Sequence, residues 1–408
     1  MRKIKSLLLF TNNYPLNYGD SSFIQPEVKH LSEIYENVYI IRFFNSKTYP
    51  VLEMPANFHI IEAGFNNKFE IVLKGLFNTS SLWKTIKILK QEYPHLKKLA
   101  HFKHLIFAIL TGRYFSSKVN HFLKNQDSNT QFDAYLFWGM GSGYALPWID
   151  QTKLHKSWIR LHGGDLYLDR QHGYLPIRFS LFESSHHIIT ISKQGAEYLN
   201  STYPNWNLNH KISTNYLGTE FHGSSSNQKE SDSYVIVSCS SIIPLKRVDL
   251  IYQSIRLVSK SLKITWHHFG GGTDMPKLKS LIETDNYNPD MLNINLHGQT
   301  NHNDIIEFYK NNHIDLFINL SETEGIPVSI MEAISFNIPV IATNVGGVSE
   351  IIHSEFNTGI LVSKDVTSDQ VKNHILNMKN QKFTPYIYWE ENFNKDKNIL
   401  NLIQYLNL

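Results

Sequence analysis

Apolar residues along this chain fall into two alternating patterns. Short runs of roughly four to eight, as in strands buried on both faces, are separated by stretches in which apolar positions recur every three or four residues, as on one helix face. The first run, Leu7–Phe10, leads into a turn-rich loop with Pro15 and Gly19, then a helix expected to open at Pro26 with Val28, Leu31 and Ile34 on one face. Val38–Phe44, Ala134–Trp138, the SWIRL segment ending at His162, Ile188–Ile191 and Ile212–Tyr216 read as the further strands of this half. A second series starts at Tyr234: strand Val235–Cys239, helix Asp249–Val258, strand Ile264–Phe269, a glycine turn at 270–272, a helix, strand Ile294–His297 and a helix. It continues with strand Leu316–Leu320, a helix, strand Pro339–Ala342, a Gly346-Gly347 turn, strand Ile360–Val362 and two last helices. Strand and helix in alternation predict parallel sheets, and no short-period repeat suggests a solenoid. The polar stretch HGSSSNQKESDS, 222–233, reads as a linker. The expected fold is therefore α/β, with two facing, doubly wound, Rossmann-like domains at 1–221 and 234–384, and a C-terminal helix, 385–408, rejoining the first.

The densest chemistry lies in 316–347, LFINLSETEGIPVSIMEAISFNIPVIATNVGG. Pro327 stands where the first helical residue is expected, so free amide donors and the positive end of the helix dipole coincide there, a natural place for a phosphate. Glu324 precedes that helix start and Glu332 follows it, roughly 7–8 Å further along the axis at ~1.5 Å per residue. Two carboxylates so spaced suit hydroxyls on different parts of one ligand, such as a sugar and a ribose. In SSIIPLKRVDL, Lys246 and Arg247 lie at the carboxyl end of the domain's first strand, just before a helix. Cations at a helix N-terminus oppose the dipole, which favours a bound anion over a merely solvated pair. Opposed to the helix start at Pro327, they would clamp a diphosphate.

In the first half, Gly19 lets the backbone turn close to a ligand, although Gly19-Asp20 also reads as a simple turn pair. His162, followed by Gly163 and Gly164, stands at a strand end and reads either as a site residue or as a structural histidine. GMGSGYA after Ala134–Trp138 only partly matches a dinucleotide fingerprint, because the third glycine spacing is missing and Pro147-Trp148 stops a long helix. Nicotinamide binding is not expected. The adjacent pairs His186-His187 and His267-His268 send side chains to opposite faces of their strands, so no metal site is expected. Residues 66–125 are rich in lysine and histidine, including Lys84, Lys87, Lys90, Lys97, Lys98, Lys103 and Arg113. They read either as a solvated face or as one that lies on an anionic membrane.

Composition narrows the classes. The 408 residues are 42% hydrophobic and 18% charged, which is globular and long enough for two domains. A net charge of +3 is too mild to argue for nucleic acid as a partner. Cys239 is the only cysteine, so no intramolecular disulfide can form and a reducing cytoplasm fits. MRKIKSLLLF has too short an apolar run for a signal peptide and reads as a core strand, and no stretch approaches the ~20 apolar residues that span a bilayer.

Taken together, YPLNYGDSSFIQPEV, RLHGGDLY, ITISKQG, PLKRVD, the GGG turn and above all the E-x7-E segment SETEGIPVSIMEAISFNIPVIATNVGG resemble the retaining nucleotide-sugar transferases of glycosyltransferase family 4, with the GT-B fold. The resemblance implies a donor/acceptor cleft between the two domains. It implies that Glu324 lies near the donor sugar and reaction centre, that Glu332 binds ribose hydroxyls, and that Gly325, Ile326, Pro327 and Val328 meet donor sugar and phosphate. It likewise implies Lys246 on the diphosphate, His162 near the donor sugar, Gly19 beside the phosphates, and Gly298 with Gln299 beside the nucleobase. Two positions depart from the family pattern. Ser241 stands where an arginine often shares the diphosphate charge, leaving Arg247 or Arg160 to compensate, and Asp20 replaces the second glycine of the first loop.

The function expected from the resemblance is a metal-independent, retaining transfer of a sugar from a nucleotide-diphosphate donor, with no cofactor. The expected acceptor is a glycan or lipid-linked glycan in cell-surface polysaccharide assembly, at the inner face of the cytoplasmic membrane, with peripheral contact to anionic lipid. The alternative is a sugar-nucleotide-binding subunit of a glycan assembly complex without turnover.

Overall fold

The computed structural model describes residues 4–62, 64–65, 70–71, 75, 82–127, 130–223, 225 and 232–407. The chain divides into two compact units: unit 1 comprises 1–191, 195–215 and 399–408, and unit 2 comprises 192–194 and 216–398. Unit 1 contains β1 (Ile4–Thr11), α1 (Ser21–Ile34), β2 (Tyr35–Arg42), β3 (Phe58–Glu62), α2 (Leu82–Glu92), α3 (Leu99–Lys124), β4 (Phe132–Leu136), β5 (Leu154–Leu161), β6 (His187–Thr190) and β7 (Ile212–Thr214). Its seven strands lie in the order β3-β2-β1-β4-β5-β6-β7, all neighbours parallel. The order reverses between β1 and β4, the switch point at which such sheets bind ligands.

Both sheet faces are covered, which explains the unbroken apolar runs. Leu7 and Leu9 share a core with Ile24, Val28 and Leu31 of α1 and with Leu402 and Leu406 near the C-terminus. Leu8 and Phe10, one residue out of phase, pack with Tyr114, Phe115, Val119 and Leu123 of α3. Successive strand residues point to opposite faces, so one run serves two cores.

Three local features differ from the expectations above. α1 starts at Ser21, with Pro26 inside it, because buried Ser21 and Ile24 anchor an earlier first turn. β3 was not anticipated, since only Phe58 of its five residues is fully buried and its pattern is correspondingly weak. Arg113 is 7% exposed on α3, so it is no part of a solvated basic face. Residues 63, 66–69, 72–74, 76–81 and 128–129 of that neighbourhood lie outside the described residues.

Unit 2 contains β8 (Tyr234–Cys239), α4 (Val248–Val258), β9 (Ile264–Phe269), α5 (Met275–Thr284), β10 (Leu292–Gly298), α6 (His302–Asn311), β11 (Leu316–Asn319), α7 (Val328–Ser335), β12 (Val340–Thr343), β13 (Gly359–Val362), α8 (Ser368–Met378) and α9 (Pro385–Asn392). The parallel order β10-β9-β8-β11-β12-β13 is that of a Rossmann sheet, with its switch point between β8 and β11. The passage between units falls at Asn215/Tyr216, ahead of the linker expected at 222–233, of which residues 224 and 226–231 lie outside the described residues. Backbone hydrogen bonds explain the shift: Thr219 N donates to Phe393 O at 3.0 Å, and Lys395 N donates to Thr219 O at 3.1 Å. Trp389 Nε1 donates to Thr219 Oγ1 at 2.8 Å. The segment after Tyr216 is thereby tied to α9, which belongs to unit 2, and only residues 399–408 return to unit 1.

Candidate functional site

In unit 2 the two strands at the switch point carry the two loops singled out in the sequence. Lys246 follows β8, Glu324 follows β11, and the Lys246 Nζ donates to Glu324 Oε1 at 2.5 Å. Asn319, the last residue of β11, donates through Nδ2 to the same oxygen at 3.3 Å. The loop carrying Glu324 is braced from three directions. Glu322 N donates to Leu245 O at 2.8 Å and Gly347 N to Gly325 O at 2.6 Å. Thr343 Oγ1 donates to Ser321 O at 2.5 Å. Gly346, at φ +55, lies so close to the Glu324 carbonyl that a β-carbon would collide with it. The paired glycines after β12 are therefore required by backbone contact with the Glu324 loop, a reason the sequence alone does not disclose.

The helix after that loop begins at Val328, with Pro327 in an extended conformation as the residue before it, one position later than expected. Ile326 and Pro327 are buried, while Gly325 and Val328 are half-buried. Glu332 lies on the first turns of α7 and accepts from His302 Nε2 at 2.7 Å. His302 is the first residue of α6, and the bond to Glu332 is the main cause that raises its pKa. Gly298 ends β10 at φ +69, with no atom within 4 Å of where a β-carbon would sit, so it supplies backbone conformation while Gln299 stays exposed beside it. Cys239 ends β8, and burial followed by the Glu332 charge pushes its thiol up to about 12, so it remains a thiol.

Arg247 departs from the expected diphosphate role. It sits at φ +47 ahead of α4, with Nε donating to Leu320 O and Nη1 to Lys364 O, each at 2.6 Å. Its guanidinium braces the ends of neighbouring loops. Ser241 is exposed. Arg160 cannot replace the missing arginine: it is 2% exposed inside unit 1, paired with Glu27 and donating to Asn215 Oδ1 at 3.3 Å. A buried carboxylate holds it there.

His162, in unit 1, immediately follows β5 and is 6% exposed. Its ring lies 4.2 Å from that of Trp138 and 5.0 Å from that of Phe137, with both ring nitrogens buried and unpartnered among the described residues. Burial, then the Arg160 charge, holds its pKa well below the usual range, so the ring is neutral and offers one donor and one acceptor. Asp165 fixes its backbone, accepting from His162 N at 2.6 Å and Gly139 N at 2.7 Å. Asp20, an awkward acid in a phosphate loop, turns inward instead. It accepts from Asn12 N and Asn13 N at 2.8 Å, Tyr14 N at 3.2 Å and Trp138 Nε1 at 3.0 Å, so its charge organises the loop closed by Gly19 at φ +65. Sequence reasoning passed over His302, Asn319 and Trp138. The sheet order brings His302 and Trp138 beside their partners, whereas Asn319 stands five positions before Glu324, inside the 316–347 stretch.

Among the described residues, no group of three or more His, Cys, Asp or Glu is disposed to hold a metal ion. His267 and His297 stack and share a hydrogen bond at 3.0 Å, a pair across neighbouring strands that the sequence did not suggest.

Residues 223–396 match the family model described as "Glycosyl transferases group 1". The O-antigen biosynthesis glycosyltransferase WbnH of Escherichia coli is 31% identical over 126 residues, covering 31% of this chain and 32% of that protein. The chain thus aligns with about a third of that curated relative's length. Among solved structures, the apo form of the lipopolysaccharide outer core galactosyltransferase WaaB superposes with a TM-score of 0.68 at 14% identity, over 99% of this chain and all of the other. Anabaena HepE in complex with UDP superposes with a TM-score of 0.57 at 14% identity, over 99% of both chains. At these identities the structural likeness is one of fold, and it agrees with the two Rossmann-like units found here.

Proposed function

We propose that this chain is a retaining, metal-independent glycosyltransferase of polysaccharide biosynthesis. It moves a sugar from a nucleotide-diphosphate donor to a glycan or lipid-linked glycan. The observation that carries the reading is the Lys246–Glu324 pair at the switch point of unit 2, with Glu332 about one turn along the helix that follows. In this reading, Lys246 transfers its hydrogen bonding to the donor diphosphate, and the amides at the start of α7 add to it, so the leaving charge is stabilised by protein groups. The anomeric carbon–oxygen bond to the diphosphate breaks and a bond to the acceptor oxygen forms on the same face. The acceptor proton passes to the departing phosphate oxygen. Glu324, released by Lys246, stabilises positive charge at the anomeric carbon, and Glu332 takes ribose hydroxyls. His162 is assigned to the donor sugar by resemblance, and its neutral ring suits a hydroxyl. HepE was solved with UDP, which makes uridine diphosphate the first nucleotide to test here.

Peripheral contact with anionic membrane belongs to the same reading. Trp83 is 85% exposed on α2, among Lys84, Lys87 and Lys90. No helix of the described residues is long and apolar enough to cross a membrane.

The test combines a thermal-shift screen of nucleotides and nucleotide sugars with a transfer assay. A ligand at 100 times its dissociation constant adds about 2.7 kcal/mol. Transfer with retained anomeric configuration, unaffected by chelator, is expected. Nucleotide binding without hydrolysis or transfer would instead support the binding-only subunit, the alternative for which Ser241 is the remaining argument.

A further inference from the structure

Unit 1 carries a hollow at the end of its sheet away from the switch point, and no role is yet attached to it. It lies at the amino ends of β5, β6 and β7 and has two adjoining halves, of about 270 and 560 Å³, which share Glu183, His210 and Lys211. Joined, they are of the size of small-ligand sites, ~300–1,000 Å³.

The smaller half is aromatic. Phe179 and Phe182, on the short helix Arg178–Glu183, line it together with Trp206. Tyr203 stacks on Trp206 with ring centres 4.0 Å apart, which holds the indole in place, and a further flat ring can extend such a stack. The larger half is cationic. Lys84 of α2, His186, His187, His210 and Lys211 line it, with Glu183 as the one acid among the described residues. β6 begins at His187, so strand alternation does not reach His186, and both rings line the same wall. Two of these groups are fixed by the fold. Fully buried Ser157 shares a hydrogen bond between its Oγ and His186 Nδ1 at 2.9 Å. Lys211 Nζ donates to Phe182 O at 3.1 Å and to Ser185 O at 2.8 Å.

Burial, then neighbouring positive charge, lowers the pKa of Lys84, His186 and His187, and burial lowers that of Lys211. Cations gathered at such a cost mark a place for an anion, and the histidines are not disposed to hold a metal ion. A bare phosphate would leave the aromatic half unused. Glu183, at the junction of the halves, accepts hydrogen bonds and so suits hydroxyls between a flat ring and a phosphate.

We propose that this hollow is a nucleotide site separate from the donor site of unit 2, with the base against Phe179, Phe182 and Trp206, the ribose at Glu183, and the phosphates among Lys84, His186, His187 and Lys211. The assignment does not rest on the transferase reading.

The experiment irradiates the full chain with 8-azido-ATP or 5-azido-UDP and maps the adducts by peptide mass spectrometry. Saturable label is expected on segments holding 178–183 or 203–208, removed by excess parent nucleotide and reduced by tripolyphosphate. Trp206→Leu, which weakens the stack, and Lys84→Glu, which reverses a phosphate contact, should each raise the half-saturating concentration for that label about tenfold. Both should leave label in unit 2 unchanged, and the melting midpoint checks that each variant is folded. Label confined to unit 2, unit 1 label indifferent to tripolyphosphate, or half-saturation unchanged in both variants overturns the assignment. So does label removed by phosphatidic acid vesicles but not by tripolyphosphate, which would place a lipid head group there. Unit 1 label without unit 2 label would refute the donor site alone.

Discussion

Replacing Lys246 by Met separates the structural role of the ion pair from its proposed role in transfer. The side chains of Lys246 and Glu324 keep 24% and 11% of their exposure. That places them between exposed pairs, worth about 0–1 kcal/mol, and fully buried pairs, whose breaking costs about 3–5 kcal/mol. After the substitution, Glu324 still has Asn319 Nδ2 at 3.3 Å and partial access to water. The expected loss of stability is therefore about 1–2 kcal/mol, or roughly 2–8 °C in the melting midpoint of a unit this size. Transfer loses the cation that meets the leaving diphosphate, a loss of about 10²–10³ in kcat/KM, equivalent to ~2.7–4 kcal/mol. The gap between the two losses is diagnostic. Thermal melting and initial-rate transfer on the same preparation measure both. Transfer within about threefold of the unaltered chain, or a loss no larger than the fall in folded fraction, refutes the reasoning.

Three further outcomes are expected. Arg160→Met strands the Glu27 carboxylate, which is 3% exposed, and should cost about 3–5 kcal/mol in chemical denaturation, whereas adding Glu27→Leu recovers most of it; equal losses in both variants would count against a buried charge pair. His302 has a raised pKa because Glu332 holds its proton, so ribose hydroxyls that capture Glu332 should expel that proton. Nucleotide affinity then rises as pH rises through the His302 pKa, calorimetry in buffers of different ionisation enthalpy reads the released proton, and His302→Gln should abolish the release. Glu92 is pushed up to about 7, chiefly by burial, from an ordinary 4.5. A raised carboxyl pKa means that the folded state takes up the proton first, so unit 1 should gain stability as pH falls from 8 towards 5, and lose that gain as pH rises through about 7. Glu92→Gln should flatten this dependence, and an unchanged slope of denaturation midpoint against pH would show that another group is responsible.

The alternation of runs and helical spacings was enough to recover the strands of unit 2 to within a residue or two, because β11 and β12 are buried at every position and β8 is largely apolar, and β10 was recovered although most of its positions are partly exposed. It failed at β3, an edge strand whose exposed residues break the pattern, and at Pro26, where buried Ser21 and Ile24 extend the helix past a residue that usually opens one. The placement of the interdomain crossing failed for a different reason. Polar composition marked 222–233, yet Thr219 is already bonded to Phe393 and Lys395, partners some 175 positions away in a pairing that leaves no local trace.

The site divides along the same line. Glu324, Pro327 and the paired glycines were singled out from spacing, since strand, loop and helix follow one another within 32 positions of the chain, but the contact of Gly346 with the Glu324 carbonyl was not. Pairings between loops were not. That Lys246 meets Glu324, that Glu332 meets His302, and that Arg247 turns back to Leu320 and Lys364 all depend on the sheet order, which sets β11 beside β8 although 76 residues separate their ends. The sequence by itself determined the α/β class, the two-unit plan and the acids around the helix start, because burial and local backbone geometry are written in neighbouring residues. Tertiary structure decided which charges are free. It absorbed Asp20 into its own loop, buried Arg160 against Glu27 and left the His162 ring neutral between Phe137 and Trp138, since a charge is tuned by whatever the fold brings within a few ångströms of it.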